Sequence, residues 1–105
     1  MGAVQMLNAT TARLISEGPK GVLDQQTPVP PRQVFCTVRS VGMREMYEAL
    51  AHGLRPEMVI CLAHRFEYRG ENFVEVDGEE YQIIRTYVTE TNGIELTLQR
   101  RGERL

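Results

Sequence analysis

Apolar residues alternate with polar ones at a period of two along most of this chain, and at a helical period in one place only. "ATTARLIS" (9–16) is β-branched and ends in Ile15, which predicts a first strand. "QVFCTVRSV" (33–41) places Val34, Cys36 and Val38 on one face, with Phe35 and Val41 on the other, so partial cover on both sides is expected. The pattern then changes. Met43, Met46, Tyr47 and Leu50 fall at i, i+3, i+4 and i+7, a single helical stripe. Ser40 or Gly42 suits the N-cap, Gly53 suits a left-handed position after the helix, and Pro56 forbids its continuation. "EMVICLA" (57–63) is almost continuously apolar, as a central strand would be.

The remainder alternates again. "NFVEV" and "EYQIIRTYVTE" flank Asp77-Gly78, a short hairpin signal. Asn92-Gly93 turns the chain into "IELTLQR", where Ile94, Leu96 and Leu98 are expected to face in and Glu95, Thr97 and Gln99 out. Between the first two strands runs "EGPKGVLDQQTPVPPRQ", whose prolines exclude a helix or a central strand. These elements predict a mainly β fold: a small antiparallel β-barrel of about six strands, with one short α-helix inserted between the second and third strands. A chain of 105 residues makes one domain, 1–105, carrying a Pro/Gly-rich connector at 17–32 and a helix-bearing loop at 40–56.

Charge and composition narrow the function. A formal net charge of −2 disfavours a protein whose main task is neutralising phosphates, although it allows one that stands beside DNA without gripping it. Cys36 and Cys61 lie within apolar runs far apart in sequence and read as buried thiols of a reducing compartment. "MGAVQMLNATTARL" has neither a basic start nor an apolar block, so no leader is expected, and no stretch approaches a membrane span. No catalytic set emerges, and no enzyme, metal or cofactor is expected. His52 and His64 are isolated, "EVDGEE" lacks the ligand spacing of a calcium loop, and "GPKG" is no phosphate-binding loop. The Pro28–Pro31 spacing reads as a stiff connector.

The helix is therefore the feature that needs a reason. Its stripe either plugs one mouth of the barrel or docks reversibly, since about ten residues are marginal as an isolated helix and two methionines give an adaptable surface. At these residues the chain resembles the head–tail joining (head closure, or stopper) proteins of long-tailed bacteriophages. Ser40, Val41, Gly42, Glu45, Tyr47 and Ala49 match the family's helix motif, and Gly53, Leu54, Arg55, Pro56 and Glu57 match the segment after it. Tyr68, Gly70 and Glu71 match an acidic turn, Gly78, Tyr81, Ile83, Ile84, Arg85, Thr86 and Tyr87 a long strand, and Glu95 and Leu96 the last strand. The match runs from 33 to 99. Met43 stands where a basic residue is usual, and Met46 where an aromatic is usual.

The resemblance implies a structural protein of the virion neck, assembled in the bacterial host cytoplasm. It would form a ring of its own copies beneath the portal and adaptor proteins and above the tail terminator or tail-joining protein. The ring closes the channel after packaging, with double-stranded DNA passing through unread. Gly42, Met43, Arg44, Glu45, Met46, Tyr47 and Glu48 are then the expected gate or lumen residues, and Lys20, Val22, Leu23 and Arg32 the expected ring contacts. The alternatives are another neck component, such as an adaptor or tail-completion protein, or a barrel that binds single-stranded nucleic acid through its tyrosines and phenylalanines.

Overall fold

The computed structural model describes residues 9–16 and 30–101. Six strands close into an antiparallel barrel: β1 (Ala9–Ile15), β2 (Arg32–Arg39), β3 (Pro56–Leu62), β4 (Phe73–Val76), β5 (Glu79–Val88) and β6 (Ile94–Arg100). Their order around the wall is β1-β2-β3-β6-β5-β4, and β4 returns to β1 with Ala12 opposite Val76 and Ile15 opposite Phe73. One α-helix, α1 (Met43–Ala51), joins β2 to β3. The fold is the one the alternation predicts.

The inward residues follow that alternation strand by strand. Ala12 and Leu14, Val34 and Cys36, Ile60 and Leu62, Val74 and Val76, Tyr81, and Ile94, Leu96 and Leu98 form one core, against which Val38, Met58, Tyr68 and Ile83 pack. Each fully buried Leu or Ile contributes about 1.5–3 kcal/mol of apolar transfer free energy. No residue of α1 belongs to this core. Asp77 and Gly78 both take positive φ (52° and 80°), as the two-residue turn between β4 and β5 requires.

Four local expectations change. Phe35 is 79% exposed, so no described residue covers the outward face of β2 at that point. Thr97 points outward as expected but is only 7% exposed, so that part of the wall is covered from outside. Pro56 does more than stop a helix: it is buried and opens β3 beside a bulge between Pro56 and Met58, where a residue without an N–H leaves no ladder bond unmade. Val41 likewise lies in the approach to α1, because β2 ends at Arg39.

The connections sort to two ends. One end carries the close of β1, the start of β2, the β3–β4 connection and the Thr89–Gly93 hairpin loop; the other carries α1 and the Asp77-Gly78 turn. At the first end Arg32 fastens the β3–β4 connection across the mouth. Its Nε and Nη2 donate to Glu71 Oε2 at 3.1 and 2.6 Å, and Nη2 also donates to the Glu67 carbonyl at 2.7 Å. The Arg69 N–H donates to Glu71 Oε1 at 2.8 Å, and the Tyr68 hydroxyl donates to the Glu71 carbonyl at 2.8 Å. Burial alone would raise the Glu71 carboxyl, but the Arg69 N–H and the Arg32 guanidinium hold it below the usual range.

Removing one partner of a pair this buried leaves the other uncompensated. Arg32→Ala should cost about 2–4 kcal/mol of unfolding free energy in urea titration. Because the folded Glu71 pKa lies below its unfolded value, its contribution is complete above the ordinary carboxylate range and is lost as pH falls through the depressed value. Glu71→Gln should therefore be less stable at neutral pH yet show a shallower acid-limb slope than the native chain. Gly93 supplies a separate test of packing, because a Cβ there would stand 2.8 Å from the Leu62 carbonyl oxygen. Gly93→Ala should cost about 1–3 kcal/mol in the same titration.

Candidate functional site

The chain feeds α1 from Arg39 at the end of β2, and the helix is held at both ends by its own backbone. Gly42 is the N-cap and has no side chain to offer, so Glu45 alone reaches back to accept the Gly42 N–H at 2.9 Å. At the other end the Leu54 N–H donates to the Ala49 carbonyl (2.9 Å) and the Gly53 N–H to the Leu50 carbonyl (3.0 Å), a Schellman closure that needs the positive φ of Gly53 (78°). The His52 Nδ1 sits 2.9 Å from the Glu48 carbonyl and occupies another terminal acceptor.

One arginine ties this helix to the wall. Arg39 Nη1 and Nη2 donate to the Glu45 carboxylate at 3.3 and 3.4 Å, and Nη2 donates to Glu95 Oε1 on β6 at 2.9 Å. Burial works against the Arg39 charge, but the hydrogen bonds to Glu95 and Glu45 outweigh it and raise its pKa. Glu45 is lowered first by the Gly42 N–H and then, against the opposing effect of burial, by Arg39 and the field of Arg85. Register shows what lies beneath. Arg39 stands opposite Val59, Val59 opposite Thr97, and Thr97 opposite Arg85, one row across four strands on the outer face. Glu45 interacts with both ends of that row, which sets the first turn of α1 against the outer wall. Val59 in the middle of the row is fully buried although it points away from the core.

The apolar stripe of α1 does not plug the barrel. Met43, Tyr47 and Leu50 are 69%, 67% and 49% exposed, Met46 is half-buried, and no residue of the helix is buried. The inward faces of the six strands supply the described core, and no residue of α1 joins it. Gly42, Met43, Arg44, Glu45, Met46, Tyr47 and Glu48 therefore occupy one projecting arm, with Arg44 and Glu48 exposed and in no ion pair among the described residues.

Of the expected ring contacts, Lys20, Val22 and Leu23 lie outside the described residues. Arg32 lies at the opposite end of the barrel from α1 and is engaged with Glu71 and Glu67 within its own chain. Sequence reasoning missed Arg39, Glu95 and Val59. Only strand register joins them, and no local motif announces it.

Both cysteines are free thiols, and they face opposite sides of the sheet. Cys36 lies in the core, where burial, then the fields of Cys61 and Asp77, push its pKa up to about 11. Cys61 is half-buried on the outer face rather than buried, and burial also raises it. Among the described residues, no three His, Cys, Asp or Glu side chains are placed to hold a metal ion. An open polar groove of about 250 Å³, lined by Thr11, Arg13, Gln33, Glu75, Asp77 and Gly78, lies on the wall near the hairpin turn. Arg13 and Glu75 pair within it at 3.2 Å.

Fold and arm together define a closed six-stranded barrel that carries a capped helix on its outside. No protein-family model matches the chain, and no curated protein matches it.

Because the helix lies outside the core, truncating its stripe should be cheap. A combined Met46→Ala, Leu50→Ala change should cost about 1 kcal/mol, against the 2–5 kcal/mol expected for each such truncation in a core. Native-state hydrogen exchange should show amides in 43–52 exchanging well before those in 57–63 and 80–88. Equal protection in all three segments would contradict an independently opening arm.

Proposed function

We propose that this chain is a structural protein of a tailed-bacteriophage neck, a head-closure (stopper) component of the head–tail connector. It would close the portal channel after packaging and present a surface for tail attachment. The observation that carries this reading is the arm: an ordered helix whose Met43, Tyr47 and Leu50 stripe finds no partner within its own described chain. An apolar stripe held out from a barrel that is already sealed is suited to another protein surface rather than to chemistry. The resemblance of residues 33–99 to the head–tail joining family supplies the identity of that setting.

In this reading copies of the chain close a ring by repeated head-to-tail contacts. Portal or adaptor proteins lie above, and a tail terminator or tail-joining protein below. The arm residues Gly42 to Glu48 line or gate the axial channel. Double-stranded DNA passes without sequence readout, and the net charge of −2 suits a lumen through which it must slide. The chain works in the virion after assembly in the bacterial host cytoplasm, and it is not an enzyme.

The test is an averaged electron-microscopic image of DNA-filled particles built with this chain. A ring of its barrels is expected beneath the adaptor. A chain found elsewhere in the neck would assign it to an adaptor or tail-completion role, and absence from particles would end the proposal. Tyr47→Asp gives a functional counterpart. The site is exposed, so stability should change by no more than about 0.5 kcal/mol, while filled heads should lose DNA before tails attach. Salt-sensitive binding of a single-stranded oligonucleotide by the isolated chain, with no incorporation into particles, would favour the nucleic-acid binder instead.

A further inference from the structure

A closed barrel normally has no strand edge. This one keeps a short edge because β4 has four residues and β5 has ten. β4 pairs with β5 only from Glu79 to Gln82, and the Ile83 N–H then reaches the Asn72 carbonyl at 2.9 Å. Beyond that point, among the described residues, no strand lies on the β4 side of β5. A register shift between Ile83 and Arg85 reorients the strand just there.

The alternation of bonds toward β6 fixes which groups are left over. The Thr89 N–H donates to the Gly93 carbonyl, and the same register continues through Tyr87 opposite Glu95 and Arg85 opposite Thr97. Past the register shift, the backbone groups of Arg85, Tyr87 and Thr89 therefore point to β6. Those of Thr86 and Val88 point to the open side. Arg85, Thr86, Tyr87 and Val88 are all exposed. Of the usual edge protections they have one charge, Arg85, and the bulge that precedes it, but neither proline nor a run of charge, and they are mostly strand-favouring residues.

We propose that the free chain pairs with a second copy of itself through this edge, β5 against β5, antiparallel about a two-fold axis at Thr86. The segment is self-complementary in that register alone. Thr86 meets Thr86 of the second copy with its N–H and carbonyl both exchanged. Arg85 falls opposite Tyr87 on one face, and Ile84 falls opposite Val88. Arg85 makes no ion pair among the described residues, and the exposed Tyr87 ring of the second copy gives its guanidinium a partner. Two copies satisfy both relations twice, as a two-fold contact requires. A ladder this short stays below the roughly 1,000 Å² of stable interfaces, so the pair is a weak, exchanging one. It is independent of the neck reading, because it concerns the free chain and a different surface from the arm.

Sedimentation equilibrium of the purified full chain, taken to about 1 mM because a contact this small binds in the micromolar-to-millimolar range, should show reversible dimers. Thr86→Pro removes the exposed donor and should abolish them; Tyr87→Ser, which leaves the backbone unchanged, should weaken them at least several-fold. Thr86→Cys in a Cys61→Ala background should form a covalent dimer on adding diamide, because partners at the centre of such a pair have Cα atoms about 5.5 Å apart, within disulfide reach. Glu90→Cys in the same background should cross-link far more slowly. A chain monomeric throughout the range would overturn the proposal. So would dimers that survive both Thr86→Pro and Tyr87→Ser, or equal cross-linking at both positions.

Discussion

The pairing of β4 with β1 and β5, over four residues on each side, closes the barrel. Without it Val74 and Val76 would lose their cover, and Leu14 and Tyr81 would face solvent across an open seam. With it the interior is filled by the sheet's own side chains. The shortness of the seam matters as much as its presence. Four residues are enough to seal the core but too few to protect all of β5. The same element thus closes the interior and leaves one stretch of β5 with no strand on its β4 side among the described residues. The Arg32–Glu71 pair reinforces this end, because it fixes the connection that delivers the chain to Phe73.

Self-sufficiency inside the barrel frees α1 outside it. A nine-residue helix has too little length to persist on propensity alone, so local devices must hold it. Glu45 closes the first turn, the Gly53 Schellman contacts close the last, and Arg39 fastens the first turn to β6 through Glu95. Because folding depresses the Glu45 pKa, this fastening is complete above the ordinary carboxylate range and loosens as pH falls through the lowered value. Arg39 is partly exposed and its contacts with Glu45 are long, so solvent and salt screen that bond. The helix is thus better secured at its own two ends than in its link to the wall.

How much of this was legible in the chain follows from the range of the forces involved. Period-two alternation fixes which side of each strand faces in, so the core of β1, β3 and β6 could be read directly, as could the Asp77-Gly78 and Asn92-Gly93 turns. The helix and its glycine stop were also readable, because capping is local. The outer face was not. Phe35 and Val59 both sit on it, yet one is exposed and the other sealed, and what distinguishes Val59 is its place in the row from Arg39 to Arg85, the point at which Glu45 of α1 meets the wall. That point depends on Arg39 meeting residues far along the chain, a relation that no window of sequence contains. Whether the stripe plugs a mouth or docks reversibly was open in the sequence for the same reason, since how six strands fill their interior is a property of closure. Arg32, expected at a ring contact, is drawn inward by Glu71, 39 residues away.

Two kinds of unfinished surface remain on one small barrel, and they differ in what they select. The stripe of Met43, Tyr47 and Leu50 presents side chains, so a partner must match their shape, and the methionine allows some latitude in that match. The edge at Thr86 and Val88 presents backbone, which any extended chain satisfies, so selection there rests on the flanking Arg85 and Tyr87 alone. A surface of the first kind discriminates partners; one of the second kind is promiscuous unless occupied. A protein held at a fixed place in an assembly needs the first for its position and must keep the second from pairing with whatever strand it meets. Covering the edge with the same edge from another copy, as proposed, would meet that need with no additional sequence, and it would leave the arm of each copy uncovered for the contacts that the neck proposal assigns to it.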